Sequence, residues 1–276
     1  MLGLLMAFNQ TQRAFRTSMT QVDVLESGRA TASLLSREME QIRPAYVTGT
    51  NLNLNFFAGL LTVGLPLRQP LPGPGNEQRL NVLDDVFFLT RENQTWTGIG
   101  YFVRIEDNAR LRYPRENLGG GNFQLMGGRL YRFEKRLPVS FAGAPAQLFA
   151  DFLTASANRA PLTNALMDGV VHFKVRAFDA GGNWLTNAPF RSDGKTNVFL
   201  TWSINTGEVA TYEFRDDTVP ASVEFELGLV EDRAWERYKS IPDAAARYQY
   251  LTNQAARVHV FRQRVAVRNV DPAAYQ

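Results

Sequence analysis

The feature that most constrains this chain is a stretch of roughly 40 residues with one helical period and a hard stop. Between Leu4 and Arg43, apolar residues recur at Phe15, Met19, Val22, Leu25, Ala32, Leu35, Met39 and Ile42, mostly in steps of three, four or seven. Such steps keep a stripe on one face of an α-helix, while Arg13, Arg16, Asp23, Arg29 and Glu40 lie mainly elsewhere. Gly28 interrupts the pattern at a cost of about 1 kcal/mol relative to Ala. Pro44 ends it, because the residue before a proline avoids the helical region. For residues 30–43 the stripe reads as core packing. The opening MLGLLMAF is apolar on every side. A helix that begins this way needs a partner or a lipid phase.

Beyond Tyr46 the period changes to two. Strands are expected at 81–89, 97–105, 129–137, 169–178, 196–204, 222–230 and 257–265. Val171, Phe173, Val175 and Ala177 share a face against His172, Lys174 and Arg176; Val223, Phe225, Leu227 and Leu229 share one against Glu224 and Glu226. That alternation marks an antiparallel sheet with one solvated side. In the last strand Val258 and Val260 have the opposite parity to Phe261, Val265 and Val267, which calls for a bulge or for burial on both sides. The segments 66–79 and 116–123 are rich in Pro or Gly and read as loops; further helices are expected at 145–157, 231–241 and 242–257. The sequence therefore predicts an α+β fold: a stem helix over 1–44, packed on the antiparallel sheet of a globular head over 45–276.

Charge and composition narrow the function. The pI of 9.2 suggests nucleic acid. Yet 30 basic against 27 acidic residues leave only +3, and no run of Lys or Arg forms a basic stripe, so no nucleic-acid partner is expected. The absence of Cys removes thiol chemistry, disulfides and thiolate metal sites together. His172 and His259 sit in strands without a neighbouring ligand at metal spacing. The pairs Asp84–Asp85 and Asp216–Asp217 point to opposite sides of a strand and read as strand ends or turns rather than acid/base pairs. FDAGGNW at 178–184 lacks the spaced acids of a calcium loop, and GGGNFQLMGG at 119–128 lacks the Lys-Ser/Thr of a phosphate loop. No Gly-x-Ser-x-Gly elbow is present. No catalytic residue, metal ligand or cofactor is assigned, and the chain is not expected to be an enzyme.

Several stretches resemble one superfamily, the type IV pilins and type II secretion pseudopilins, in particular the large minor subunits of the J/W type. Residues 10–44 resemble the stem of these prepilin-type proteins. VVHFKVRAFDAGGNW at 170–184 resembles their strand–turn–Trp element, and VPASVEFELGLV at 219–230 the strand that follows it. Residues 84–103 with 128–137 are similar to their paired central strands, and 256–269 to their last. The front of the chain departs from that pattern. Gly3 is followed by Leu, the first acidic residue is Asp23, and continuous apolarity ends at Phe8, short of the ~20 residues of a bilayer span. The resemblance implies that MLGLLMAF is the trailing half of an anchor whose leader and first part lie upstream.

What the resemblance implies is a structural role in protein transport or filament assembly. The subunit is expected in the bacterial inner membrane, its head in the periplasm, its partners other pilin-like subunits. The expected assembly residues are Leu4, Leu5, Phe8, Phe15, Met19, Val22 and Leu25. Moving Phe15 or Met19 from water into a helix interface contributes roughly 1.5–3 kcal/mol each. Two other classes stay open on the residues alone: a soluble β-rich module that binds a glycan or protein through its Tyr- and Trp-bearing loops, and a hydrolase whose groups converge from afar.

Overall fold

Apolar residues alternating on both sides of the strands build a sheet that must be covered twice. The computed structural model describes residues 2–45, 53–61, 64–107, 110–119, 121–157, 163–189 and 197–270, with backbone alone for 2–9 and 11–21. In chain order it contains α1 (Leu2–Met39), β1 (Leu54–Gly59), β2 (Leu67–Pro70), β3 (Gln78–Asn81), β4 (Asp85–Glu92), β5 (Thr95–Asp107), β6 (Arg110–Arg112), β7 (Arg115–Asn117), β8 (Phe123–Leu125) and β9 (Gly128–Pro138). It continues with α2 (Ala144–Ala157), β10 (Thr163–Phe178), β11 (Val198–Ser203), β12 (Glu208–Arg215), β13 (Ser222–Val230), α3 (Asp232–Lys239), α4 (Ala244–Thr252) and β14 (Val258–Ala266). The fold is α+β, with α1 on a large antiparallel sheet ordered β11-β12-β1-β4-β5-β9-β10-β13-β14, to which β6 adds beside β5.

The strand parities decide which element covers what. Phe56, Val86, Phe88, Tyr101, Val103, Phe173, Phe225 and Leu227 form one core with Val24, Ala32, Leu35, Met39 and Ile42 of the stem. The alternate residues Phe57, Phe87, Phe102 and Phe133 pack under α2, where Leu148 and Phe152 are fully buried. Farther along the same far face, Trp235 and Tyr238 of α3 and Leu251 of α4 close over Val171, Val230 and Leu67. One sheet thus separates the stem side from a side built by α2, α3 and α4; the solvated side expected from the alternation is absent at His172, Lys174 and Glu224, which are buried among charged partners.

The sheet is bent around β10. The first half of this long strand pairs with β9, and from Val170 onward it pairs with β13. Where β9 departs, residues 82–84 move in: Phe173 donates to the Val82 carbonyl at 2.8 Å, and Asp84 donates to the Phe173 carbonyl at 2.7 Å. The start of β12 is thereby brought against β10.

Several boundaries differ from the sequence expectation for physical reasons. The segments read as loops at 66–79 and 116–123 carry the hairpins β2–β3 and β7–β8. The strand expected at 81–89 begins instead at Asp85, and β1 and β12 had no expected counterpart. The last strand pairs with β13 without a register shift, so no bulge explains its double parity, and of the second set Val258 is partly buried whereas Val260 is 44% exposed. Phe261, Val265 and Val267 pack on the stem side, and Val258 on the other. The stem meets the head from Val24 rather than from residue 30.

Gly28 has a packing role. A Cβ there would lie 2.3 Å from the Phe261 ring and 3.0 Å from Leu229 Cδ1. Glycine lets β14 approach the helix at the one turn where this ring fills the gap. Gly28→Ala gains about 1 kcal/mol of helix propensity but overpacks the contact by about 1–3 kcal/mol. The expected outcome is a lower urea midpoint. A raised midpoint would mean that Phe261 swings aside without loss.

Candidate functional site

The stem carries the first candidate site. α1 is a continuous helix of 38 residues, about 57 Å long at 1.5 Å per residue. Its docked stripe runs through Val24, Gly28, Thr31, Leu35, Met39 and Ile42, all buried. Val22 is 54% exposed, and Leu25 is partly exposed. At about 100° per residue, Val22 and Val24 lie on opposite sides of an α-helix. Positions 4, 8, 15 and 19 fall in phase with 22. The single stripe expected from the sequence is therefore a winding one, which changes sides between its N-terminal part and its head-bound part. The side chains of Leu4, Leu5, Phe8, Phe15 and Met19 lie outside the described residues. Among the described residues, no helix is long and apolar enough to cross a membrane.

Polar contacts fix the other end of the stem. Glu38 receives the Tyr101 hydroxyl in a short hydrogen bond and is held by Arg132 Nη2 at 2.7 Å. Burial beside this carboxylate pushes the Tyr101 hydroxyl far above its ordinary value. Past the helix, Arg43 donates its N–H to the Leu89 carbonyl at 2.9 Å, and Arg268 donates its own to the Glu40 carbonyl at 3.1 Å. Those bonds satisfy strand and helix ends that would otherwise be orphaned.

Where α1 stops, the stem side of β4, β5 and β9 is left uncovered. A groove of about 520 Å³ opens there, with Arg37, Arg43, Arg91, Arg132, Arg136 and Arg268 in its walls beside Glu38, Glu92 and Glu134. Its floor is a cross-strand row in which Thr90 faces Thr97 and Thr97 faces Arg136. The sequence did not reveal it, because its arginines come from four separate segments.

A second concentration of charge is buried. A cavity of about 90 Å³ lies between β10, β13, β3 and the start of β12, lined by Arg79, His172, Lys174, Arg176, Glu208 and Glu226 among others. Beyond the irregular register between Val170 and His172 the pairing is regular, and the strand period of two sets His172, Lys174 and Arg176 on one face. His172 Nδ1 accepts the Val82 N–H at 3.2 Å, so its proton is placed on Nε2, 3.3 Å from Glu226. Arg176 holds Glu226 at 2.6 Å and Glu208 at 3.0 Å. Lys174 donates to the Val209 carbonyl at 2.8 Å and lies 3.5 Å from Asp84.

The adjacent carboxylates part company: Asp84 turns to Lys174, whereas Asp85 takes both Arg104 nitrogens at 2.7 Å and the Tyr113 hydroxyl at 3.2 Å. Burial pushes both carboxyls up, against the pull of Lys174 on one and Arg104 on the other. The pair stands at the entry to β4 in the interior, not in an exposed turn.

These groups are committed to one another. Both His172 nitrogens are engaged, and each carboxylate already accepts a cation, so the cavity holds no poised base beside a free nucleophile. The turn at Asp179–Asn183 is closed by its own side chain, Asp179 accepting the Asn183 N–H at 2.8 Å. Among the described residues, no group of three or more His, Asp or Glu side chains is placed to hold a metal ion. Neither a scan against protein-family models nor a search of the curated proteins gives a match for this chain.

Glu226 provides a pH test of the buried network. The His172 hydrogen bond, followed by the Arg176 charge, holds its carboxyl down at about 2 against the desolvation that would raise it. A depressed carboxyl contributes stability fully above its unfolded value near 4.5, and loses it as the pH falls through 2. Glu226→Gln is expected to cost about 2 kcal/mol at pH 7. The gap from the parent should narrow between pH 4.5 and 2 in urea titrations. A pH-independent gap would assign the loss to packing instead.

Proposed function

We propose that this chain is a structural subunit of a pilin-like or pseudopilin-like filament that assembles through the N-terminal part of α1. One observation carries this reading: among the described side chains, the head engages the apolar ones of the helix from Val24 onward, and the apolar residue just before that point, Val22, is on the outward side and exposed. An apolar stripe on a helix needs a cover. The head covers the opposite face, so a neighbouring subunit or lipid is the fitting occupant of the face shared by positions 4, 8, 15, 19 and 22. The stem-on-sheet arrangement agrees with the resemblance of residues 10–44, 170–184 and 219–230. The cellular place that goes with it is the bacterial inner membrane, with the head in the periplasm.

A second reading, a soluble binding module, draws on one edge of the sheet. Phe199, Trp202 and Ile204 are 41%, 53% and 101% exposed on and just after β11. Exposed apolar residues on an edge strand are a known means of recruiting a partner.

The two readings differ in which residues control association. Replacing Phe15 and Met19 with Asp should reduce self-association or detergent binding in sedimentation, with the unfolding midpoint unchanged. Val24→Asp should do the reverse, lowering head stability by about 3 kcal/mol or more through a buried unpaired charge. If the Phe15/Met19 double change lowers the midpoint and spares association, those residues belong to the core and the assembly reading fails. If association instead depends on Trp202 and Ile204, the module reading gains.

A further inference from the structure

The groove beyond the end of α1 has an uneven charge balance. Arg132 is shared between Glu38 and Glu134, both at 2.7 Å, and Arg136 also reaches Glu134, at 2.9 Å. Arg268 is paired with Glu40. Arg91 alternates with the stem-side Thr90 and Glu92 and turns its guanidinium to the α2 side of the sheet, onto the Trp96 ring and the Asn93 carbonyl. Arg37 and Arg43 are exposed and meet no carboxylate among the described residues. Two guanidinium groups of the groove are thus unmatched, against one wall carboxylate, Glu92, that is also unmatched among the described residues. We propose that this groove docks an acidic peptide segment of a partner protein, its carboxylates taken by Arg37 and Arg43.

Charge complementarity selects the occupant. Bidentate guanidinium–carboxylate pairing is the strongest polar contact the free arginines can make. The surrounding Thr90, Thr97, Gln41 and Asn269 offer the hydrogen-bonding groups that an extended backbone requires. Nucleic acid fits the site less well. Glu38, Glu92 and Glu134 stand in its walls and would face phosphates. Tyr101, which bonds the groove's Glu38, is fully buried and gives no stacking platform. The inference does not depend on the assembly reading, because the groove is made wholly by the docked end of α1 and the head.

The test uses the full chain and a fluorescein-labelled hexaglutamate peptide, followed by fluorescence anisotropy at 50 and 300 mM salt. Saturable binding that weakens at the higher salt is expected. Arg37→Gln with Arg43→Gln should lower affinity about tenfold, whereas Arg233→Gln, on exposed α3, should leave it unchanged. Unfolding midpoints should be the same for all, since none of these three side chains is buried; Arg43→Gln alone serves as a replacement if the double variant is less stable, and should also weaken binding. Several results would overturn the proposal. They are no saturable binding, an equal loss with Arg233→Gln, displacement of the peptide by a 20-nucleotide single-stranded DNA that binds more tightly, or a groove variant that alters only self-association in sedimentation.

Discussion

A sheet that is apolar on both faces cannot exist with one of them bare, and this requirement organises the molecule. Strands β4, β5 and β10 each send large side chains to both sides: Phe87 and Phe88, Tyr101 and Phe102, Val171 and Phe173. The far face is closed by α2, α3 and α4, all supplied by the segments between strands. The other face is closed in large part by the stem. Fully burying an aliphatic or aromatic side chain is worth roughly 1.5–3 kcal/mol, so the buried positions from Val24 to Ile42 make the stem's second half part of the core. The Glu38–Tyr101–Arg132 cluster then sets where along the face the helix stops.

Much of this was legible because it is written in periods. The long helix, the strands at 97–105, 129–137, 169–178 and 222–230, and the antiparallel pairing all follow from local alternation and stop signals. The strand β1 was missed because LNFFAG is buried at every position and shows no alternation. The hairpins β2–β3 and β7–β8 were hidden by the prolines and glycines of their turns. The change of side between the faces of Val22 and Val24 was lost because each step of three falls some 60° short of a full turn, so a run of such steps winds around the helix while its list of spacings reads as one stripe. The arginine groove and the charged cavity were beyond local reading. Their members, such as Arg43 with Arg136 or Lys174 with Asp84, meet only through the tertiary path of the chain.

The buried ion pairs serve a different purpose from the apolar clusters. Arg104 and Asp85 are 1% and 0% exposed, and Lys174 and Asp84 only 5% and 3%, so each pair sacrifices much hydration for its attraction. Such pairs add little net stability compared with an apolar replacement of the same volume. What they do is penalise mispairing. A one-residue slip of β4 would send Asp85 toward the place of Asp84 and leave Arg104 without its carboxylate in the interior. We read them as register pins for a long, bent sheet whose central strand changes partner half way along.

The winding of the stem's apolar stripe carries one further consequence. Two faces of one helix are separated by its diameter, about 10 Å with side chains, and substitutions at such a separation without shared neighbours act additively. Residues in phase with Val22 and residues in phase with Val24 are therefore energetically insulated from each other, though one set follows the other along the same helix. A chain built this way can acquire changes on its outward face without re-solving its own interior, and can repack its interior without disturbing what lies outside. The stem is a partition, and each side of it is free to drift on its own.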